Sequence, residues 1–512
     1  MPALTEARLT LLRRRLAQAG DIRPAPGAGD IRPARSAPGA GDLRPARSAP
    51  GAGDTRPEAT VPFGEFGIAE RRMWRIYELD PESLSHNIGL VLEFGGRRTL
   101  GSVVAAAELL VDRFRVVRSV VEVDDAGTPS RREVPRAGSW DASRSVWTWG
   151  PTDSAVSDAG DDVDATATAL TRTPFDLHSE VPLRMRVSGS DGNVTMILVV
   201  HHLAVDDTSW PLLLGTLVSG SWPGDVTADA RPETPDPAAA AEAANSAVRH
   251  AIATWAADDV RYPLTGELPT ESAADSWLSP MDDRDGIKAA APVAADSLSA
   301  FGRVAQTVGA TPNALLIGVC SLASYALTGA ADHVLVVPAD NRRREQAPQD
   351  VGYCGNIIPM RFRVDPDATV EQALREAGSV IYRSMEHSGT DFGPVLTALR
   401  QQGGRFPVIE IMASVRPAPL RGIPQPADAP VTCRSVFNGI ANYPLSIAFE
   451  ADDDSTHVEV DHQPGIVPDE MADRATAVLT TLVDLIPTSL HHSVSALLEI
   501  LAERVPQKGT AG

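Results

Sequence analysis

Apolar and polar positions follow two different rhythms along this chain. Between residues 4 and 19, Leu9, Leu12 and Leu16 recur at helical spacing, Glu6 stands near the start, Arg13 to Arg15 cluster towards the end and Gly20 closes the run. That pattern predicts a short amphipathic helix. Further on, compact apolar runs predict strands at His86–Phe94, Leu183–Val187, Val194–Val200, Val334–Val337, Pro359–Val364, Val408–Val415, Leu445–Glu450 and Thr456–His462. Between them, wider periodic segments predict helices at Gly101–Val111, Pro211–Val218, Ala239–Asp259, Leu298–Val308, Pro312–Leu327 and Asp469–Leu485, with a loop and a short helix across Thr152–Ala169. Interleaving of this kind favours an α/β (α+β) fold over a helical bundle or a sandwich.

Four segments emerge. Residues 1–20 hold the basic helix and residues 21–60 a linker, in which Gly27-Ala28-Gly29-Asp30 returns every 12 residues as Gly39–Asp42 and Gly51–Asp54, each followed by Arg-Pro. Three such short copies, rich in Pro, Gly and Ala, cannot bury a core, so a semi-extended tether is expected. Residues 61–230 and 231–512 form two globular parts, divided in the acidic stretch where Pro232, Pro235 and Pro237 interrupt the chain.

Charge narrows the possible roles. The net charge is −21, with ten arginines and six acids in residues 1–60 placing +4 on the tail and about −25 on the body. An acidic body disfavours nucleic acid and anionic membrane as partners, since both require a basic face. Arg8 and Arg13 to Arg15 break any signal-peptide core, and Asn313–Leu327, opened by Thr311-Pro312, reads as a buried core helix. Cys320, Cys354 and Cys433 form no CxxC pair, which suggests neither a disulfide framework nor a zinc site and fits a reducing cytoplasm.

The chemistry-bearing segment is Val194–Val200 followed by His201-His202-Leu203-Ala204-Val205-Asp206-Asp207-Thr208-Ser209-Trp210. A buried strand ends in two histidines, and a polar turn then opens a helix. Adjacent strand residues face opposite sides, so His201 and His202 cannot share one role. A histidine pair alone is ordinarily surface or satisfied core. The pair His491-His492 serves as an internal control, because Ala496 stands where Asp206 follows the first pair.

His201-His202-x-x-x-Asp206 resembles the HHxxxDG motif of nonribosomal peptide synthetase condensation domains, in the superfamily of chloramphenicol acetyltransferase. Other stretches are similar in the same order. Gly67-Ile-Ala-Glu70-Arg71-Arg72-Met73-Trp74 resembles SxAQxRMW, and Arg113–Val121 resembles RHExLRTxF. Pro174-Phe-Asp-Leu177 with Pro182-Leu-Arg184 matches the segment before the histidine strand. Pro338-Ala-Asp-Asn341-Arg342 and Val351-Gly352-Tyr-Cys-Gly-Asn356-Ile-Ile-Pro359 resemble PxxGR and VGxFVNTxP. His387–Phe392 and Asn442–Leu445 echo later motifs. The likeness spans about residues 61 to 490.

The resemblance implies two chloramphenicol acetyltransferase-like lobes in a V-shaped pseudo-dimer with a central tunnel. It makes His202 the catalytic histidine, His201 buried support, and Asp206 a structural acid paired with Arg342. Asp207 stands where the family has glycine, Ser209-Trp210 follows a variant seen in epimerisation and some condensation subtypes, and Asn356 follows the condensation pattern. No cofactor of its own is expected, the substrates riding on the phosphopantetheine of peptidyl or acyl carrier protein domains. No adenylation, carrier or thioesterase motif is visible, so a free-standing condensation enzyme is expected, with carriers on other chains and a small-molecule or carrier-bound acceptor. The N-terminal helix is a candidate docking element, and Arg71, Arg72, Arg75, Arg343 and Arg344 are candidate contacts for a phosphopantetheine phosphate or an acidic carrier. An O-acyltransferase of the same superfamily and a catalytically silent recruitment domain are the alternatives.

Overall fold

The structure, a computed structural model, describes residues 64–505 except 136–137, 142–145, 150–161, 222–241, 243–245, 247–248, 251–260, 267–284, 342–350, 390–408 and 454. The expected N-terminal helix, the repeat linker, the proline-rich boundary, most of the helix expected at 239–259, and Arg342 to Arg344 lie outside the described residues.

The first half of the chain runs α1 (Ile68–Leu79), β1 (Asn87–Gly95), α2 (Leu100–Arg113), β2 (Ser119–Val123), β3 (Pro129–Glu133), β4 (Gly138–Asp141), β5 (Val146–Trp149), α3 (Val163–Thr171), β6 (Leu183–Ser190), β7 (Asn193–His201) and α4 (Trp210–Ser219). The second half adds β8 (Ile287–Val293), α5 (Ala295–Val308), α6 (Pro312–Thr328), β9 (Asp332–Asp340), β10 (Gly355–Arg363), α7 (Val370–Met385), β11 (Ile411–Pro417), β12 (Val431–Val436), β13 (Leu445–Ala451), β14 (Thr456–His462), α8 (Asp469–Ser489) and α9 (Val494–Arg504).

The first sheet is antiparallel, ordered β12-β1-β7-β6-β5-β4. Its central strand β7 is apolar from Met196 to Val200 because helices cover both faces. Val194, Met196, Leu198 and Val200 of β7 enter a core with α2 and α4, whereas Ile197 and Val199 enter a second core with α1 and α3. Each such fully buried aliphatic side chain contributes about 1.5–3 kcal/mol. Close seating of α3 depends on Gly89, where a Cβ would stand 2.2 Å from Thr171 Oγ1.

The second sheet is mixed, ordered β10-β9-β11-β13-β14-β8, with β11 parallel to both β9 and β13. One face packs on α5 to α9 in a single core. Thr311 caps α6 by accepting the Ala314 N–H at 3.2 Å, and Leu315, Val319, Cys320 and Leu322 of that helix are buried. No single helix among the described residues is long and apolar enough to cross a membrane.

The halves are joined by strand exchange. β12, from the second half, pairs antiparallel with β1 in the first sheet, with Leu92 opposite Cys433.

Candidate active site

The parity of β7 decides where its last residue, His201, goes. His201 continues the Ile197–Val199 face and enters the core beneath α1, where Tyr77 and Phe175 meet its ring edge-on at 5.8 and 5.9 Å. Its Nδ1 accepts the Leu203 N–H at 3.1 Å. Burial first, and then His86, His202, Arg184 and Arg131, hold this imidazole well below its ordinary range, so it stays neutral.

At His202 the strand gives way to a single helical turn, His202–Ala204. This ring is only partly buried, and its Nδ1 lies 2.6 Å from the carbonyl oxygen of Val205. A carbonyl only accepts, so Nδ1 carries the proton and Nε2 keeps its lone pair. Among the described residues Nε2 has no hydrogen-bond partner. The ring is thereby held in one orientation, with Tyr353 of the second half edge-on to it at 5.0 Å.

The turn behind His202 is tied to the second half by Asp206. Its Oδ1 accepts the Ser209 N–H at 3.1 Å and the Ser209 hydroxyl lies at 2.9 Å, while Oδ2 accepts the Cys354 N–H at 3.0 Å. Ser209 Oγ also lies 3.1 Å from the Gly352 carbonyl and accepts the Gly352 N–H at 3.2 Å. Trp210 opens α4 with its indole buried in the core of the first sheet, away from the histidine turn's polar contacts. Of the expected residues, the structure thus gathers His202, Asp206 and Ser209 at one turn; the expected Arg342 partner lies outside the described residues.

Asp207 is exposed to solvent, yet enough protein surrounds it that desolvation raises its carboxyl, against the opposing pull of His202 and Arg416. Arg416 belongs to the face of the second sheet turned away from its helices. There it bonds Glu450 at 3.0 Å and also Glu459, and Lys288 bonds Glu459 at 2.9 Å. Thr208 adds a further link between the halves by donating to Asp340 Oδ2 at 3.3 Å.

Asn356 lies buried on β10. Its Oδ1 accepts from Arg72, which also reaches the Gly355 carbonyl, and its Nδ2 donates to the Ser388 carbonyl at 2.6 Å. Arg72, considered from sequence as a phosphate contact, instead fastens α1 to the second half. Arg184 likewise stacks at 3.8 Å on the Phe175 ring and holds the Thr173 and Pro174 carbonyls at 2.7 Å, which makes its motif a clamp on the turn entering β6. The control pair behaves as surface, with the His491 side chain 93% exposed.

Two supports were missed by sequence reasoning. Glu70 on α1 meets Arg131 of β3 at 2.7 Å, and Arg131 donates to the Leu203 carbonyl at 3.1 Å, directly behind His202. The signal was present as an acid in place of the motif glutamine, but its partner is 61 residues away. His86, just before β1, lies with its ring centre 6.0 Å from that of His201 and 6.4 Å from that of His202. Among the described residues, no group of three or more His, Cys, Asp or Glu is placed to hold a metal ion.

Residues 255–502 match the Condensation domain family. The chain is 24% identical over 366 residues to N-(5-amino-5-carboxypentanoyl)-L-cysteinyl-D-valine synthase of Amycolatopsis lactamdurans, covering 67% of this chain and 9% of that protein. It is 27% identical over 348 residues to the AMB antimetabolite synthetase AmbB of Pseudomonas aeruginosa, covering 66% and 26%. The chain therefore spans only a minor part of these curated relatives. Among solved structures, the first condensation domain of the calcium-dependent antibiotic synthetase superposes with a TM-score of 0.64 at 18% identity, covering 85% of this chain and 98% of that one. That likeness shows the condensation-domain fold.

Proposed function

We propose that this protein is a condensation enzyme that joins a carrier-tethered acyl or aminoacyl thioester to an amine or, less often, a hydroxyl acceptor. The observation that carries the reading is the fixed tautomer of His202, with Nδ1–H held by Val205 O and Nε2 left as an acceptor. In this reading the acceptor nitrogen attacks the thioester carbon while Nε2 takes its proton. The C–N bond forms, the carbonyl electron pair moves to oxygen, and on collapse the C–S bond breaks and the proton passes to the departing thiolate. General-base action of this kind contributes about 10²–10⁴-fold, and co-location of two tethered reactants adds to it.

His201 is support beneath the turn, Asp206 and Ser209 fix the loop against Gly352 and Cys354, and Asn356 with Arg72 fixes α1 against β10. The donors and carrier-bound acceptors arrive on the phosphopantetheine of carrier protein domains, in the cytoplasm. The basic tail is the docking element for such acidic partners. Silent recruitment is the second reading, favoured by Asp207 in place of the motif glycine.

One experiment tests both. Candidate acyl-carrier donors are incubated with free and carrier-bound nucleophiles, and products are identified by mass spectrometry. The native chain is expected to form product and His202→Ala to form none while retaining its circular dichroism. Equal turnover in His202→Ala refutes the base assignment, and the absence of product from every native reaction favours recruitment.

A further inference from the structure

The site contains a second imidazole that the reading above leaves idle. His86 is partly buried, and its Nδ1 lies 2.9 Å from Ser85 Oγ. Ser83 Oγ donates to Ser85 Oγ at 3.0 Å, which leaves the Ser85 hydroxyl proton for His86 Nδ1. The proton of His86 therefore sits on Nε2, opposite to the tautomer of His202. Among the described residues, no protein group accepts it.

The segment carrying His86 is held from the second half. Asn438 Nδ2 donates to the Leu84 and Asn87 carbonyls at 3.0 and 3.2 Å, Asn442 Nδ2 donates to the Ser85 carbonyl at 3.3 Å, and the His86 carbonyl accepts the His202 N–H at 2.8 Å. A ring-centre separation of 6.4 Å exceeds the roughly 5 Å of two imidazoles joined directly by an N–H···N bond. It suits two rings that share a third group.

We propose that His86 is a further catalytic residue, donating its Nε2–H to the thioester oxygen as negative charge develops there, while the Nε2 lone pair of His202 receives the proton of the nucleophile. The inference rests on the condensation reading. Burial, reinforced by His202, holds the His86 imidazole down at about 3, so it remains a neutral donor throughout the working pH range. The atoms balance as in the mechanism above. His86 lends a hydrogen bond to the oxyanion and keeps its proton, and its backbone contribution to His202 survives any change of side chain.

The test compares His86→Phe, which keeps a ring but removes the donor, with His86→Gln, which replaces a donor at a similar reach. Turnover is measured on a donor and acceptor pair used by the native chain, with thermal melting alongside. We expect His86→Phe to lose about 10²–10³-fold in kcat with KM unchanged, and His86→Gln to recover at least a tenth of native kcat. Native turnover in His86→Phe overturns the proposal while leaving the condensation reading intact, and absence of product from the native chain removes both. Equal loss in Phe and Gln variants, or unfolding of both, assigns His86 to structure and also overturns it.

Discussion

The Glu70–Arg131 pair offers the most direct check on how the histidine turn is supported. Both side chains are almost fully buried, 4% and 0% exposed, and meet at 2.7 Å. Glu70→Ala removes the carboxylate from this buried guanidinium, which costs on the order of 3–5 kcal/mol. The same change removes the Glu70 acceptor from the Gly67 N–H at 2.8 Å, worth about 0.5–1.5 kcal/mol more at the start of α1. Against a total stability of about 5–15 kcal/mol, this is a large fraction. Glu70→Gln keeps one carbonyl oxygen for two donors and should fall between Glu70→Ala and the native chain.

The double variant Glu70→Leu with Arg131→Met should recover most of the stability, because no buried charge is left without its partner. It should not recover turnover, since Arg131 no longer holds the Leu203 carbonyl behind His202. Urea unfolding followed by tryptophan fluorescence reads the first effect, and carrier-dependent product formation reads the second. A Glu70→Ala midpoint indistinguishable from native, or a double variant worse than Glu70→Ala, would refute the reasoning.

Two further changes test other links. Asp206→Ala removes the acceptor for the Ser209 and Cys354 N–H groups, so it should cost about 1–3 kcal/mol per donor left buried and lower turnover; retention of both native stability and native rate would contradict the role given to that turn. His333, with Nδ1–H to the Ala330 carbonyl at 2.9 Å and Ser321 at 3.1 Å from Nε2, is held by burial at about 4, so the unfolded chain binds the extra proton first. Its contribution is present above about 6.5 and is lost as pH falls towards 4, about 3 kcal/mol in all. His333→Gln should flatten that part of the stability profile in urea titrations at stepped pH, and an unchanged difference between pH 7 and pH 4 would exclude it.

Much of the architecture was legible where local pattern and tertiary burial agree. β7 is apolar on both sides because α1 and α3 cover one face and α2 and α4 the other, and α6 begins where Thr311-Pro312 predicts. The expected strand Thr456–His462 coincides with β14. The unread elements fall into two groups. β8, with the sequence Ile-Lys-Ala-Ala-Ala-Pro-Val, has an Ala-rich composition that favours helix, and it is a strand through its pairing with β14. β12 has no clean alternation and exists by pairing with β1 from the other half of the chain. By contrast α7, with Val370, Leu374, Ala377 and Ile381 buried at helical spacing, and α9 carry a helical pattern in their own sequence.

The site divides in the same way. The histidine turn is local, so His201, His202 and Asp206 stood out. The contacts of Arg72 with Asn356, of Glu70 with Arg131 and of His86 with His202 join residues distant in sequence or hidden by an ordinary spacing. Arg72 illustrates the limit, since an arginine that pins two halves together and one that meets a phosphate look alike until the fold supplies the partner.

The β1–β12 ladder also sets a timetable for the nascent chain. Leu92 leaves the ribosome roughly 340 residues before its partner Cys433, an interval on the order of tens of seconds at ordinary synthesis rates. Through that interval β1 presents an open edge of apolar backbone, the kind of surface on which chains associate wrongly. A fragment ending between the halves would be caught permanently in that condition, and the second half supplies closure of the first sheet as well as residues facing the histidines.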